Sequence, residues 1–264
     1  VSVMSHRGYP KGEDSLESAA FPQSGVQGAG GAPGVLGPAS FYRDGGARAI
    51  MRAANFPDEL LPFLQMEGLA AMDAVCRHEC DSLVELGCYD GRALEVARAA
   101  GVRYLGVDVN RGAIDSLNRR IGDEGLGDRA RAVLGDALHC EEWSSEVTGE
   151  RPLHLLPFNL VGNFTEPEKV LAGVGGLGGL ALISVFNEEP WTTEVRRAYY
   201  TACGIGIVEE VPGPYGGVLF RGDQGFRSQS FSSRGVADLL SATGAATVRE
   251  RTHRLGRCIT VRLA

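Results

Sequence analysis

The stretch Val84-Glu85-Leu86-Gly87-Cys88-Tyr89-Asp90-Gly91-Arg92-Ala93 decides the fold. An apolar run from Ser82 to Leu86 stops at a glycine, and Gly91 to Ala100 then reads as a helix. A short apolar run without alternation fits a strand buried on both faces. Gly87 permits the tight turn that leaves the strand, and Gly91 lets the helix approach closely. In open α/β sheets ligands lie beyond the carboxyl ends of the strands, so this turn is the first candidate binding element.

The same pattern continues outward from it. Tyr104 to Val109 reads as a second strand, with a helix from Ala113 to Ile121. Arg131 to Leu134 is a third strand, and Leu153 to Leu156 a fourth, stopped by Pro157. A short helix over Glu166 to Ala172, a fifth strand over Leu180 to Phe186 and a helix over Thr193 to Cys203 follow. Such alternation predicts a parallel sheet with helices on both faces. The last third differs. Ile207 to Val211, Gly217 to Arg221 and Phe226 to Phe231 read as antiparallel strands, with Gly222-Asp223-Gln224-Gly225 as a turn. Ser232 caps a helix that ends near Gly244, and strands at Thr247 to His253 and Ile259 to Leu263 form a terminal hairpin.

On the other side, Asn55 reads as the cap of a helix reaching Glu79, with Pro57 in its first turn. Leu61, Leu64, Leu69, Met72 and Val75 form its apolar stripe. Residues 1–40 hold eight glycines and four prolines and no apolar period, which predicts a disordered tail. The expected organisation is a tail at 1–40, an N-terminal helical lid at 41–80, and a catalytic domain at 81–264 with an antiparallel insert at about 206–231.

Asp108 follows Gly91 by 17 residues, at the end of the second strand. An acid there can accept hydrogen bonds from ribose hydroxyls. Asp136, in Gly135-Asp136-Ala137, repeats the logic at the third strand, where it can accept from an adenine amino group. A nicotinamide dinucleotide site is the first competitor, but its Gly-x-Gly-x-x-Gly fails: Tyr89 stands where the second glycine would admit a pyrophosphate.

Taken together, Val84-Glu85-Leu86-Gly87 with Gly91, Gly106-Val107-Asp108-Val109 and Gly135-Asp136-Ala137 resemble the first three motifs of the class I S-adenosylmethionine-dependent methyltransferases, in order and spacing. The resemblance extends over about 41–264. It implies a Rossmann-like α/β fold with a seven-stranded, mostly parallel sheet, a terminal antiparallel hairpin and an N-terminal helical lid. The cofactor it implies is S-adenosyl-L-methionine, held by Glu85, Gly87, Cys88, Tyr89, Gly91, Asp108, Val109, Asp136, Ala137 and Asn159. Many members carry glycine where Tyr89 stands. The ring either closes over the methionine portion or points into the helix–sheet packing.

The family places methyl-facing residues after the fourth strand, here Pro157-Phe158-Asn159-Leu160-Val161-Gly162-Asn163. Asn159 and Asn163 are the catalytic candidates, since an amide can orient both a nucleophile and a carbonyl. The alternative is that both only hold the turn. Tyr42, Asn163, Asn187 and Arg221 are the candidates for holding a small-molecule acceptor. None of the five histidines is placed as a clear base. His139 lies nearest the adenine side, and His154 is inside a strand. Methyl transfer tolerates this, because a base is required only for a poor nucleophile. Transfer to oxygen or nitrogen of a small molecule is the leading expectation, in a biosynthetic role such as secondary metabolism. A methyltransferase scaffold recruited for ring closure or elimination is the second, and a noncatalytic partner subunit the third.

The net charge of −7 argues against duplex nucleic acid, whose binding needs a basic face. No apolar run reaches the roughly 18–20 residues that span a bilayer, and no secretory leader is apparent, so a cytoplasmic location is expected. Six cysteines without a Cys-x-x-Cys pair read as free thiols. Cys76 and Cys80 lack a second metal half-site, so no metal is expected. Monomer and homodimer are both compatible with the sequence.

Overall fold

The computed structural model describes residues 38–43 and 45–264. The predicted tail lies outside the described residues except for its last three positions, which already belong to a helix, α1 (Pro38–Arg43). Next come α2 (Gly46–Ile50) and α3 (Leu60–Arg77). The start of α3 differs from the expectation. Asn55 lies in a one-turn 3-10 helix, where its amide donates to Ala49 O at 2.9 Å, so it caps nothing in α3.

The buried face of α3 differs in part: Val75 is buried and Leu64 packs against the core as the stripe predicts, but two of its leucines do not. Leu61 and Leu69 are 46% and 63% exposed, whereas Leu60, Phe63, Glu67, Ala70, Ala71 and Ala74 are buried. The alanines let the helix lie close on the sheet, so the face that packs is the one with small side chains rather than the one with most leucines.

The chain then alternates through β1 (Ser82–Leu86), α4 (Leu94–Ala100), β2 (Arg103–Asp108), α5 (Arg111–Asp123), β3 (Ala130–Leu134), β4 (Pro152–Leu156), α6 (Pro167–Gly175), β5 (Leu180–Phe186) and α7 (Pro190–Ala202). The insert supplies β6 (Ile207–Pro212), β7 (Val218–Gly222) and β8 (Arg227–Gln229), and α8 (Ser233–Ala242), β9 (Ala246–Thr252) and β10 (Gly256–Arg262) complete the chain. Asn110 caps α5 by accepting from Ala113 N at 2.9 Å, and Ser232 caps α8 by accepting from Gly235 N at 2.8 Å.

The main sheet has the order β3-β2-β1-β4-β5-β10-β9. The first five strands are parallel, and β10 is antiparallel to both its neighbours. Helices α3, α4 and α5 cover one face of this sheet, and α6 and α8 the other. Strand order reverses between β1 and β4, which opens a crevice at their carboxyl ends. The insert folds as a separate antiparallel sheet, β6-β7-β8. No helix among the described residues is long and apolar enough to cross a membrane. Cys76 is exposed and Cys80 buried, and the described residues hold no cluster suited to a metal.

Candidate active site

The crevice widens into a cavity of about 1030 Å³, part of it open to solvent. Its near end is built by the carboxyl ends of β1, β2 and β3. Gly87 leaves β1 with φ of +64°, a conformation strained for any side chain, and a Cβ there would also press on Leu160 Cδ1 at 3.0 Å. Asp108 is buried at the end of β2 and faces the cavity. Its Oδ2 accepts from Tyr89 N and its Oδ1 from Asn110 N, each at 2.8 Å. Burial raises its pKa, and those backbone donors oppose the rise. Val109 N also acts on the carboxylate, and part of its acceptor capacity remains for a ligand. Val109, Asp136 and Ala137 continue the lining, and Asp136 Oδ1 accepts from Leu138 N at 3.0 Å.

Glu85 sits deeper. Its Oε2 accepts from the Tyr104 hydroxyl at 2.6 Å and from Ala93 N at 3.1 Å. Burial pushes its pKa up to about 7 in spite of those donors. Arg92 also lines the cavity, held by the buried Glu67 carboxylate. Glu67 in turn accepts from Phe158 N at 2.7 Å. This Glu67–Arg92 clamp joins α3 to the loop after β4, and sequence reasoning missed it. The available signal was a lone acid on the small-residue face of α3.

The loop after β4 holds two consecutive left-handed residues, Phe158 at φ of +49° and Asn159 at +61°. Strain of this kind concentrates at functional sites. Asn159 is buried. Its oxygen accepts from Phe186 N at 3.1 Å, and its nitrogen donates both protons, to Gln229 O at 2.9 Å and Ser228 Oγ at 3.3 Å, so the donor side of the amide is the part that is filled. It borders the cavity with both amide protons engaged, so it has no donor to spare and at most one lone pair of its oxygen. Asn163, half-buried, faces the cavity and hydrogen-bonds the Tyr42 side chain. Tyr42 comes from α1, whose position is fixed by Asn110 Nδ2 donating to Tyr42 O at 3.1 Å.

Four sequence candidates stand apart from the lining. Cys88 is buried behind the turn, against Gly106 and Tyr104. Gly91 lies under the turn, with Leu117 of α5 filling the space its Cβ would take. Asn187 holds the terminal hairpin, donating to His253 O at 2.9 Å and accepting from Arg257 Nε at 2.9 Å. Arg221 is exposed on the insert, paired with Glu209 at 2.6 Å. Asn187 and Arg221 are therefore structural and surface residues rather than acceptor ligands. Among the histidines, His139 is exposed, and His154 is buried in β4 with its Nε2 2.9 Å from Gly178 O.

The far end of the cavity is formed by Tyr42, Ile50, Met51, Phe158, Phe164, Phe186, Tyr199, Tyr200 and Ser228. Tyr199 hydrogen-bonds Ile50 O, which ties α2 to α7. Tyr42 was a sequence candidate, but Tyr199 and Tyr200 were missed. In the sequence they are only apolar positions of an amphipathic helix.

No family model and no curated relative matches the sequence. Solved structures do resemble it. A 1,6-didemethyltoxoflavin-N1-methyltransferase from Burkholderia thailandensis superposes with a TM-score of 0.56 at 18% identity, covering 85% of this chain and 84% of that one. Magnesium protoporphyrin IX methyltransferase from Synechocystis gives 0.55 at 11% identity, covering 85% and 97%. An O-methyltransferase from neocarzinostatin biosynthesis gives 0.54 at 15%, covering 85% and 61%. The fold is that of the class I S-adenosylmethionine-dependent methyltransferases. In the class I methyltransferase fold of this chain, the acids at the ends of β2 and β3 line one end of the crevice. Aromatic residues from α1, α7 and the loops line the other.

Proposed function

We propose that this protein is an S-adenosylmethionine-dependent methyltransferase that acts on oxygen or nitrogen of a small molecule. The observation that carries this reading is the Asp108 carboxylate, fixed by two backbone donors and turned into the cavity with acceptor capacity to spare. Ribose hydroxyls match that capacity. Asp136 and Ala137 would border the adenine, and Glu85 and Arg92 lie at the side where the methionine portion fits. The cofactor supplies an electrophilic methyl group on a sulfonium. The chain's part is to align the acceptor and exclude water, and the aromatic far end is shaped for both. Tyr89 in place of a glycine disfavours a pyrophosphate-bearing dinucleotide. The structural neighbours support the reading, since those from Burkholderia and Synechocystis bind S-adenosylhomocysteine.

Calorimetric titration with S-adenosylhomocysteine tests this. Saturable one-to-one binding is expected, with NAD giving none. Absence of S-adenosylhomocysteine binding, or equal binding of NAD, overturns it.

One observation favours a second reading. Among the described residues, no His, Asp, Glu, Lys or Cys lines the far end of the cavity. A scaffold recruited for ring closure or elimination needs no methyl acceptor there. Accumulation of S-adenosylhomocysteine during turnover decides between them, because only transfer of the methyl group leaves that thioether as the product.

A further inference from the structure

Ser228 of β8 is buried beside the far end of the cavity. Its hydroxyl oxygen accepts from Asn159 Nδ2 at 3.3 Å and from Arg196 Nη2 at 3.2 Å. The Asn159 amide cannot be turned round, because Phe186 N requires its oxygen. A serine hydroxyl has one proton and two lone pairs. With both lone pairs engaged, its proton is directed to the Tyr200 oxygen, 2.6 Å away. Tyr200 therefore accepts from Ser228, and its own phenolic proton is left to donate. Tyr200 lines the cavity.

Arg196 polarises this chain of hydrogen bonds. It is 1% exposed and in direct contact with no carboxylate among the described residues; Glu210, paired with the neighbouring Arg197, acts on it only at longer range. Its guanidinium donates to Val218 O at 3.0 Å and Ser228 O at 2.7 Å, while Nε has no hydrogen-bond partner. The rings of Phe220, Phe186 and Tyr200 surround it at 4.7, 5.5 and 6.0 Å and compensate part of its desolvation. A buried cation with no carboxylate in contact still favours an anion nearby. The other titratable groups around this end are Tyr42 from α1, Tyr199 from α7 and, behind them, the Cys203 thiol, all held neutral by burial. Arg92, on the β1 side, is neutralised by Glu67.

We propose that Tyr200 is an acceptor-binding residue whose hydroxyl, oriented by Ser228 and Arg196, holds an ionised oxygen, and that the acceptor is a phenol or enol bound as its anion. The proposal rests on the methyltransferase reading and names its substrate class. It also answers the lack of a base at the far end, because an oxygen bound already ionised has no proton to lose. The aromatic walls suit a planar ring carrying that oxygen.

The test uses para-nitrophenol, an indicator whose anion absorbs visibly, titrated against pH with the full chain, with and without S-adenosylhomocysteine. Bound indicator should ionise about one pH unit below the free compound, the effect of a donor and a nearby cation on an anion. Tyr200→Phe should abolish most of that shift, with its melting temperature as the control for folding. Should that variant fail to fold, para-nitroanisole decides. It has no ionisable oxygen and should bind about tenfold more weakly at neutral pH. Titration at or above the free value, no binding of the indicator, a shift that survives Tyr200→Phe, or equal binding of the anisole would overturn the proposal. Loss of S-adenosylhomocysteine binding alone would instead remove the cofactor reading, since the indicator titration stands without it.

Discussion

The two ends of the cavity are built by different means. The near end comes from consecutive strand ends, β1 to β3, whose turns place Gly87, Asp108 and Asp136 within one local pattern. The far end joins Tyr42, Asn163, Tyr200 and Ser228, which meet only because α1, the loop after β4, α7 and the insert converge. The near end is acidic and hydrogen-bonded by backbone, so its geometry follows from the chain path. The far end is aromatic and held by side-chain networks, so its geometry depends on tertiary packing. Substitutions should therefore act differently at the two ends.

The largest effect is expected where the far end is pinned. Asn159→Ala removes an acceptor from Phe186 N and a donor from Gln229 O, both buried. It also leaves a left-handed residue without the side chain that tolerates it. The expected loss of unfolding free energy is about 3 kcal/mol, read from urea denaturation. Asn163→Ala, half-buried and facing the cavity, gives up only its hydrogen bond to Tyr42 and should cost about 1 kcal/mol. Equal effects of the two would mean that the loop is not pinned more firmly at Asn159 than at Asn163.

At the near end, Asp108→Ala should weaken S-adenosylhomocysteine binding by about 1.5–3 kcal/mol, because a charged acceptor is removed from its hydroxyl donors. Calorimetry reads it directly, and unchanged affinity would refute the ribose assignment. The variant also frees the Tyr89 and Asn110 N–H groups, so a smaller loss of stability should accompany the loss of affinity.

These contrasts explain what was legible in the sequence. The fold was, because apolar strands and intervening helices announce a parallel sheet locally, and the terminal hairpin has its own turn signals. Asp108 and Asp136 were, because each closes a strand after a fixed interval. Asn187 and Arg221 were misplaced for a common reason. Their neighbours in space, Arg257 and Glu209, lie on other strands, and a single sequence does not show those pairings. Glu67 was missed because buried acids are rare and its partner Arg92 lies 25 residues on. The face of α3 was partly misread because leucine outweighs alanine in any apolar count, whereas close helix–sheet packing favours alanine.

Charge state offers a subtler test of the near end. Glu85, raised to about 7, holds its proton in the folded state over a range where the unfolded chain has lost it. Its contribution to stability falls as pH rises from about 4.5 to about 7. His154, lowered to about 4, behaves oppositely: the unfolded chain binds a proton that the folded state refuses. Stability is thus lost as pH falls from about 6.5 toward about 4. The two slopes oppose each other between about pH 5 and 6. Glu85→Gln should unmask a rise of about 1 kcal/mol per pH unit there, and His154→Gln a fall of similar size. Parallel profiles for the two variants would show that one of these groups is not perturbed as described.

The smallest effect is expected at Tyr89, where the near end departs from the glycine common at this position. Tyr89 holds φ of +44°, and its N–H, not its ring, anchors Asp108. Replacing it with glycine removes the strain of a left-handed side-chain-bearing residue, about 1 kcal/mol. The unfolded chain gains freedom that offsets about 0.5–1 kcal/mol of this. Tyr89→Gly should therefore melt within a degree or two of wild type, since the net change is a few tenths of a kcal/mol at most. The backbone donor to Asp108 survives, so ribose binding should persist. The ring borders the cavity, and losing its contact should weaken S-adenosylhomocysteine by under about 1 kcal/mol. A loss as large as that of Asp108→Ala would make the ring a principal ligand. No loss at all would place it outside the bound cofactor, leaving the backbone of this turn as the whole of its contribution.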